Sequence, residues 1–219
     1  MISNQKGVGL IEVLVALMLL AIAVLGFSAM QLTALKATDE SVMRSRAITM
    51  MRGASEMMRA NPTGICAFKL ALNNTSLKFV DNSDNPQAMN VLNSGCSEYV
   101  APESPPKDYV APAHRTVSVK KTDCTTGGST VGCSIEQLAM QDALNLKKYA
   151  TENELSIRAE ICPGTSTTQP LTCLIAAWGD TDPIFLDEPV ASDTTKDKPC
   201  ANEDAVYNFG AQCFIMEAY

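Results

Sequence analysis

The chain of 219 residues contains one histidine and one tryptophan, and only 5% of it is aromatic. With His114 alone, a zinc site rich in imidazole and a paired-histidine acid–base device are both excluded. No Gly-x-Ser-x-Gly elbow and no Gly-rich loop ending in Lys-Ser/Thr occurs, so a hydrolase nucleophile and a phosphate cradle lack their carriers. Basic excess is missing as well. The 17 Lys and Arg are outnumbered by 24 Asp and Glu, for a net charge of −7 and a pI near 4.8. Such a chain has no electrostatic footprint for nucleic acid or an anionic lipid surface. Its densest basic stretch, Arg44, Arg46, Arg52 and Arg59, is read as solvating a helix or meeting acids on neighbouring molecules. Proline is absent from Val8 to Ala60, so nothing there deletes a helical N–H. The chain reads as non-enzymatic and without a cofactor.

The weak catalytic and metal candidates are quickly weighed. His114 follows Pro112-Ala113 and reads as an exposed loop residue. Asp180, Asp182, Asp187 and Glu188 form an acidic group with oxygen ligands of the kind calcium takes. It lacks the Gly and terminal Glu of an EF-hand loop, and a solvated acidic loop is the plainer reading, with no metal.

What is present begins with cysteine. Eight occur, at 66, 96, 124, 133, 162, 173, 200 and 213, with no Cys-x-x-Cys pair. An even number in an exported domain reads as a disulfide framework, although eight cysteines admit about a hundred pairings. A nearest-neighbour assignment is Cys66–Cys96, Cys124–Cys133, Cys162–Cys173 and Cys200–Cys213. Cys162 and Cys173 end two strand-like runs around a Pro-Gly-Thr-Ser loop. Cys124–Cys133 closes a Gly-Gly loop and Cys200–Cys213 one near the C-terminus; Cys66–Cys96 follows by elimination.

The most informative stretch runs from Val8 to about Met30, apolar except for Glu12 and the small hydroxyl of Ser28, with Glu12 its one charge. Roughly 20 apolar residues in a helix cover the hydrocarbon core of a bilayer. A charge at the centre of that core costs on the order of 3 kcal/mol, which makes Glu12 a functional residue in search of a partner. The flanks matter too. A general secretory signal places its small-residue cleavage site after the apolar run; here Lys6-Gly7 precedes it. Cutting after Gly7 would remove a short leader and leave the helix attached. The lone base before the run favours the N-terminus inside and the bulk of the chain outside.

Gly7-Val8-Gly9-Leu10-Ile11-Glu12 resembles the class III signal of type IV prepilins, with Val8-Gly9 where Phe-Thr or Phe-Ser is usual. The resemblance implies that a prepilin peptidase cuts after Gly7 and methylates the amine of Val8. It also implies that Glu12, the fifth mature residue, pairs with that amine or a neighbour's during assembly. Gln31-Leu32-Thr33-Ala34-Leu35-Lys36 and Met57-Met58-Arg59-Ala60-Asn61-Pro62 resemble the PilV-type minor pilins, the type IV pilus modification proteins. This similarity covers roughly the first 60 residues. It implies a minor pilin that joins other minor pilins and the major pilin, primes pilus assembly and sits near the tip. An inner-membrane assembly platform and a tip adhesin are the further implied partners. The implied processes are twitching motility, surface attachment and DNA uptake. A minor pseudopilin of type II secretion shares the signal and helix and is the alternative; a pilus-borne adhesin is a third reading.

The implied fold is α+β and pilin-like: one long helix packed on a disulfide-stapled antiparallel sheet. Residues 1–7 form the leader, 8–30 the membrane or filament-core helix, 31–61 an amphipathic extension and 62–219 a periplasmic head. In the extension, Met43, Ala47, Met50, Ala54 and Met57 recur at helical spacing and predict one buried face. Asn61-Pro62 predicts its end. Residues 61 to about 130 read as irregular. Ser134-Ile135-Glu136-Gln137 predicts a capping box opening a helix to about Ala150. Leu155–Cys162 and Leu171–Trp178 predict paired strands, and Val206–Phe209 with Phe214–Met216 a further hairpin.

Overall fold

The computed structural model describes residues 9–77, 86–104, 109–119, 124, 132–165, 170–186 and 198–218. Helix α1 (Leu10–Ala60) runs unbroken for 51 residues. Its residues divide between two compact units, Met1–Met43 and Arg44–Tyr219.

In the first unit the helix is apolar and bare. Leu10, Ile11, Leu14, Leu17, Leu25 and Phe27 are all more than half exposed. The hydroxyls of Ser28, Thr33 and Thr38 donate back to the carbonyls of Val24, Ala29 and Ala34 at 2.8, 3.1 and 2.9 Å. Hydroxyl groups satisfied in this way need no water. This helix is long and apolar enough to cross a membrane, with a mean hydropathy of 2.8 over its best window.

The second unit has its own core. Along α1 the buried residues are Ala47, Met50, Met51, Ala54, Ser55 and Met58. Ala47, Met50 and Ala54 of the expected stripe are buried, but its ends differ: Met43 is half-buried and Met57 is 36% exposed, while Met51 and Met58 are enclosed. Spacings of 4-3-4 fit both the row 43-47-50-54-57 and the row 47-51-54-58. Spacing alone does not choose between adjacent rows.

After α1 come a 3₁₀ turn (Pro62–Gly64), α2 (Ile65–Asn73), β1 (Gln87–Leu92) and β2 (His114–Val119). The region read as irregular therefore holds three elements. Each is short, and Asn, Pro and Gly punctuate between them, which hid their periodicity. Ala67, Phe68, Ala71 and Leu72 form the buried face of α2. Met89 and Val91 on β1, with Val117 and Val119 on β2, alternate into the core of an antiparallel pair.

Helix α3 (Ile135–Glu152) opens on the expected capping box. The Ser134 hydroxyl accepts from the Gln137 N–H, and the Gln137 side chain accepts from the Ser134 N–H. β3 (Leu155–Ile161) and β4 (Thr172–Trp178) are antiparallel, in register from Leu155 opposite Trp178 to Ile161 opposite Thr172. Every residue of β4 is buried, as the middle strand of β3-β4-β7 must be. β7 (Cys213–Glu217) takes the other edge of β4. β5 (Thr181–Phe185) and β6 (Lys198–Ala201) form a separate parallel pair.

The expected hairpin of Val206–Phe209 with Phe214–Met216 does not form. Residues 206–209 lie in a turn-rich loop with a single bridge from Tyr207 to Ala201, and β7 pairs with β4 instead. Turn chemistry overrides the strand propensity of Val and Tyr here. Asn202 accepts the N–H groups of Asp204 and Val206 through its side chain at 3.1 and 2.8 Å, and Gly210 adopts φ +69°.

All eight cysteines are joined: Cys66 to Cys96, Cys124 to Cys133, Cys162 to Cys173 and Cys200 to Cys213. No bridge includes a residue of α1. The architecture is α+β and pilin-like: a long N-terminal helix, largely antiparallel sheets and four disulfides.

Candidate functional site

Glu12 lies in the first turn of α1 and is exposed. The carbonyl of Gly9 accepts from the N–H groups of Glu12 and Val13, at 3.0 and 3.3 Å, and so starts the helix. A carboxylate in this turn meets the positive end of the helix dipole. All its helical neighbours from Leu10 to Leu20 are exposed and, apart from Glu12, uncharged. In a bilayer or an apolar filament core, Glu12 is the one polar handle on that surface. Gly7 and Val8, the expected cleavage and N-terminal residues, lie outside the described residues.

The end of α1 is built to join the head. Asn61 uses both ends of its amide: Oδ1 accepts from the Gly64 N–H at 3.2 Å, and Nδ2 donates to the Ile135 carbonyl at 2.9 Å. The stop signal read from Asn61-Pro62 thus also ties the tail of α1 to the head of α3. Gly64 is required for this approach, because a Cβ there would stand 2.7 Å from that of Ala139. Arg115 on β2 secures the same region by gripping both oxygens of Glu136, with Nε at 2.8 and 3.0 Å.

The four arginines of α1 are all exposed. Arg44 places its guanidinium 5.8 Å above the ring of Phe214, a cation–π distance. Arg59 lies 3.8 Å from Glu56. Among the described residues, Arg46 and Arg52 have no carboxylate within ion-pair distance. Between α1 and α3 runs an open groove of about 470 Å³, walled by Met50, Met57, Leu146 and Tyr149 with Gly53 between and Arg46 on the rim.

The remaining candidates carry little chemistry. His114 is the first residue of β2 rather than part of a loop. Its Nδ1–H donates to the Pro112 carbonyl at 2.9 Å and its ring stacks on Tyr99 at 4.3 Å, a structural posture. Asp180 sits in the turn before β5 and Asp182 within β5, while Asp187 and Glu188 lie outside the described residues. Among the described residues no group of three potential metal ligands occurs. A second cavity of about 390 Å³ includes Lys147. Its ammonium donates to the carbonyls of Asn74 and Leu77 at 2.6 and 3.2 Å, and burial lowers its pKa from 10.5. This lysine clamps the chain leaving α2.

Sequence reasoning missed the groove, α2 and the loop at 202–210. Asn202, Asn208 and Gly210 were the available signal for the loop. The groove had none, since it depends on how two helices meet.

Comparison with known families agrees with the N-terminal geometry. Residues 2–28 match the prokaryotic N-terminal methylation motif, and residues 29–101 match the family described as Type IV pilin Tt1218. No curated protein and no solved structure matched the chain.

Proposed function

Because the chain is a type IV pilin, we propose that it serves as a minor pilin of the PilV type, priming a pilus and remaining near its tip. The family is structural rather than catalytic, and its members assemble with other pilins after a prepilin peptidase has acted. The observation that carries the reading is Glu12 in the first turn of an exposed apolar helix. In this reading the peptidase cuts after Gly7 and methylates Val8. The chain waits in the inner membrane with its N-terminus inside and its head in the periplasm. On entry into the filament, the Glu12 carboxylate meets the amine of Val8 or of a neighbouring subunit. Pairing sets the axial register, since an unpaired charge buried in that packing costs several kcal/mol. Other minor pilins, the major pilin and an inner-membrane platform are its partners. The disulfide-held head is the surface that selects among them and a tip adhesin, in a filament serving motility, attachment or DNA uptake.

A minor pseudopilin of type II secretion would use the same signal and helix, so the test must separate the two. Quantitative mass spectrometry of sheared, purified filaments is expected to find a peptide beginning at N-methylated Val8, far below the abundance of the major subunit. Processed chain confined to membranes, together with secretion components, would transfer the assignment to the pseudopilin. An uncut N-terminus would sink both.

A further inference from the structure

We propose that the side chains of Lys147 and Asn74 join in an amide bond, with loss of ammonia and with Glu98 as the acid–base catalyst. Two asparagines stand side by side at the end of α2, and the fold treats them differently. Asn73 is closed off: its carboxamide donates to the Ala159 carbonyl at 2.7 Å and accepts from the Ala159 N–H at 2.9 Å, as a neighbouring strand would. The carboxamide of Asn74 instead carries the three things that attack on an amide by an amine requires.

The first is polarisation. Oδ1 accepts from the N–H groups of Ser76 and Leu77 at 2.8 and 3.3 Å. These are two backbone donors on the oxygen where negative charge develops when its carbon is attacked. The second is a proton carrier at the leaving group, since Nδ2 donates to Glu98 Oε1 at 2.6 Å. Glu98 is fixed there: its backbone bridges to Val91, and Cys96, two residues earlier, is bonded to Cys66 on α2. The third is an amine. Lys147 Nζ sits 2.6 Å from the main-chain carbonyl of the same Asn74 and 3.2 Å from that of Leu77. Burial lowers its pKa from 10.5, which raises the share of free amine, the nucleophilic form. Among the described residues no carboxylate lies within ion-pair distance of Nζ to hold the proton on it.

The flexible lysine stem carries Nζ from the main-chain carbonyl of Asn74 to Cγ of that same residue. Fold-imposed proximity makes the attack intramolecular. The lone pair of neutral Nζ attacks Cγ, and as the new C–N bond forms Glu98 takes the proton that Nζ sheds and delivers it to Nδ2. The Cγ–Nδ2 bond then breaks and ammonia departs; nothing is oxidised or reduced. The four disulfides span 30, 9, 11 and 13 residues, so each is local in sequence. The amide ties the end of α2 to α3, and thiols cannot cut it. The inference is independent of whether the chain serves a pilus or a pseudopilus.

The test is mass spectrometry of the full-length chain, purified from membranes, reduced, alkylated and digested with trypsin. Cleavage after Lys and Arg turns an unlinked chain into linear peptides that include 70–78 and 122–147. The expected product joins 70–78 to 122–148, is one ammonia lighter than the two together, and fragments as a link between Asn74 and Lys147. Lys147→Arg keeps a cation for the Asn74 and Leu77 carbonyls and should abolish the product. Glu98→Gln keeps an acceptor for Nδ2 and should lower the linked fraction at least tenfold. Thermal melts of both variants check folding. Linear peptides alone from the parent chain, a link through a different residue, or a link undiminished in folded Glu98→Gln would each overturn the proposal.

Discussion

At Glu12 a carboxylate occupies the first turn of a helix whose other exposed side chains, from Leu10 to Leu20, are uncharged. Its value lies in being expensive to bury alone. Glu12→Ala is therefore expected to leave cleavage after Gly7 intact while lowering incorporation into filaments several-fold, read by immunoblots of sheared pili against membranes. Wild-type incorporation would remove Glu12 from the assembly mechanism. Asp142 shows the opposite economy. Burial raises its carboxyl above the ordinary 3.8. The folded chain then holds this proton more tightly than the unfolded chain, so the group favours folding at low pH and loses that advantage as pH rises through the raised value. At neutral pH the ionised, partly buried carboxylate is a net cost. Asp142→Asn should raise Tm by a few degrees at neutral pH and by much less at pH below 3.8; equal shifts at both would exclude charge as the cause.

At the scale of elements, legibility followed length and local chemistry. α1 and its stop at Asn61-Pro62 were readable because 51 residues without proline leave little alternative. The capping box at Ser134 was readable from its local hydrogen-bonding groups, and the β3–β4 pair from an alternating run in β3 beside a continuous apolar run in β4. α2, β1 and β2 were not, being nine, six and six residues long and separated by punctuation. The Val206–Phe209 segment misled because β propensity is weak against an Asn-and-Gly turn. The motif at the end of α1 says more than its sequence shows: Asn61 is a strut as well as a stop. Asn61→Ala and Gly64→Ala are each expected to destabilise the head by about 1–3 kcal/mol, the first by removing two hydrogen bonds and the second by overpacking against Ala139. Urea melts with unchanged m-values would confirm it; a loss below ~0.5 kcal/mol for Asn61→Ala would show the strut to be idle.

At the scale of the whole molecule, the similarity to type IV pilins ends near residue 101, while three of the four disulfides lie beyond it. The matched part bears α1, α2 and β1; the elements from β2 onward lie outside both matches. That division explains why family and N-terminal chemistry were readable while the surfaces of the head required coordinates.

A filament subunit must also carry load, and the placement of the bridges determines how. Tension applied between the end of α1 and the C-terminus has no disulfide of α1 to act through, so the Met/Ala face of α1 resists it by packing, helped by the Asn61 hydrogen bond to Ile135 and the Arg44–Phe214 contact, with no covalent tie. Past that point each bridge withholds its loop from extension. The Cys66–Cys96 loop, 30 residues long, represents about 100 Å of chain at roughly 3.4 Å per residue. Single-molecule stretching of the Lys147→Arg chain should show the oxidised head yielding in short increments, and reduction should release the hidden length. The head is in this sense a spring with stops, able to give under a pull without unravelling.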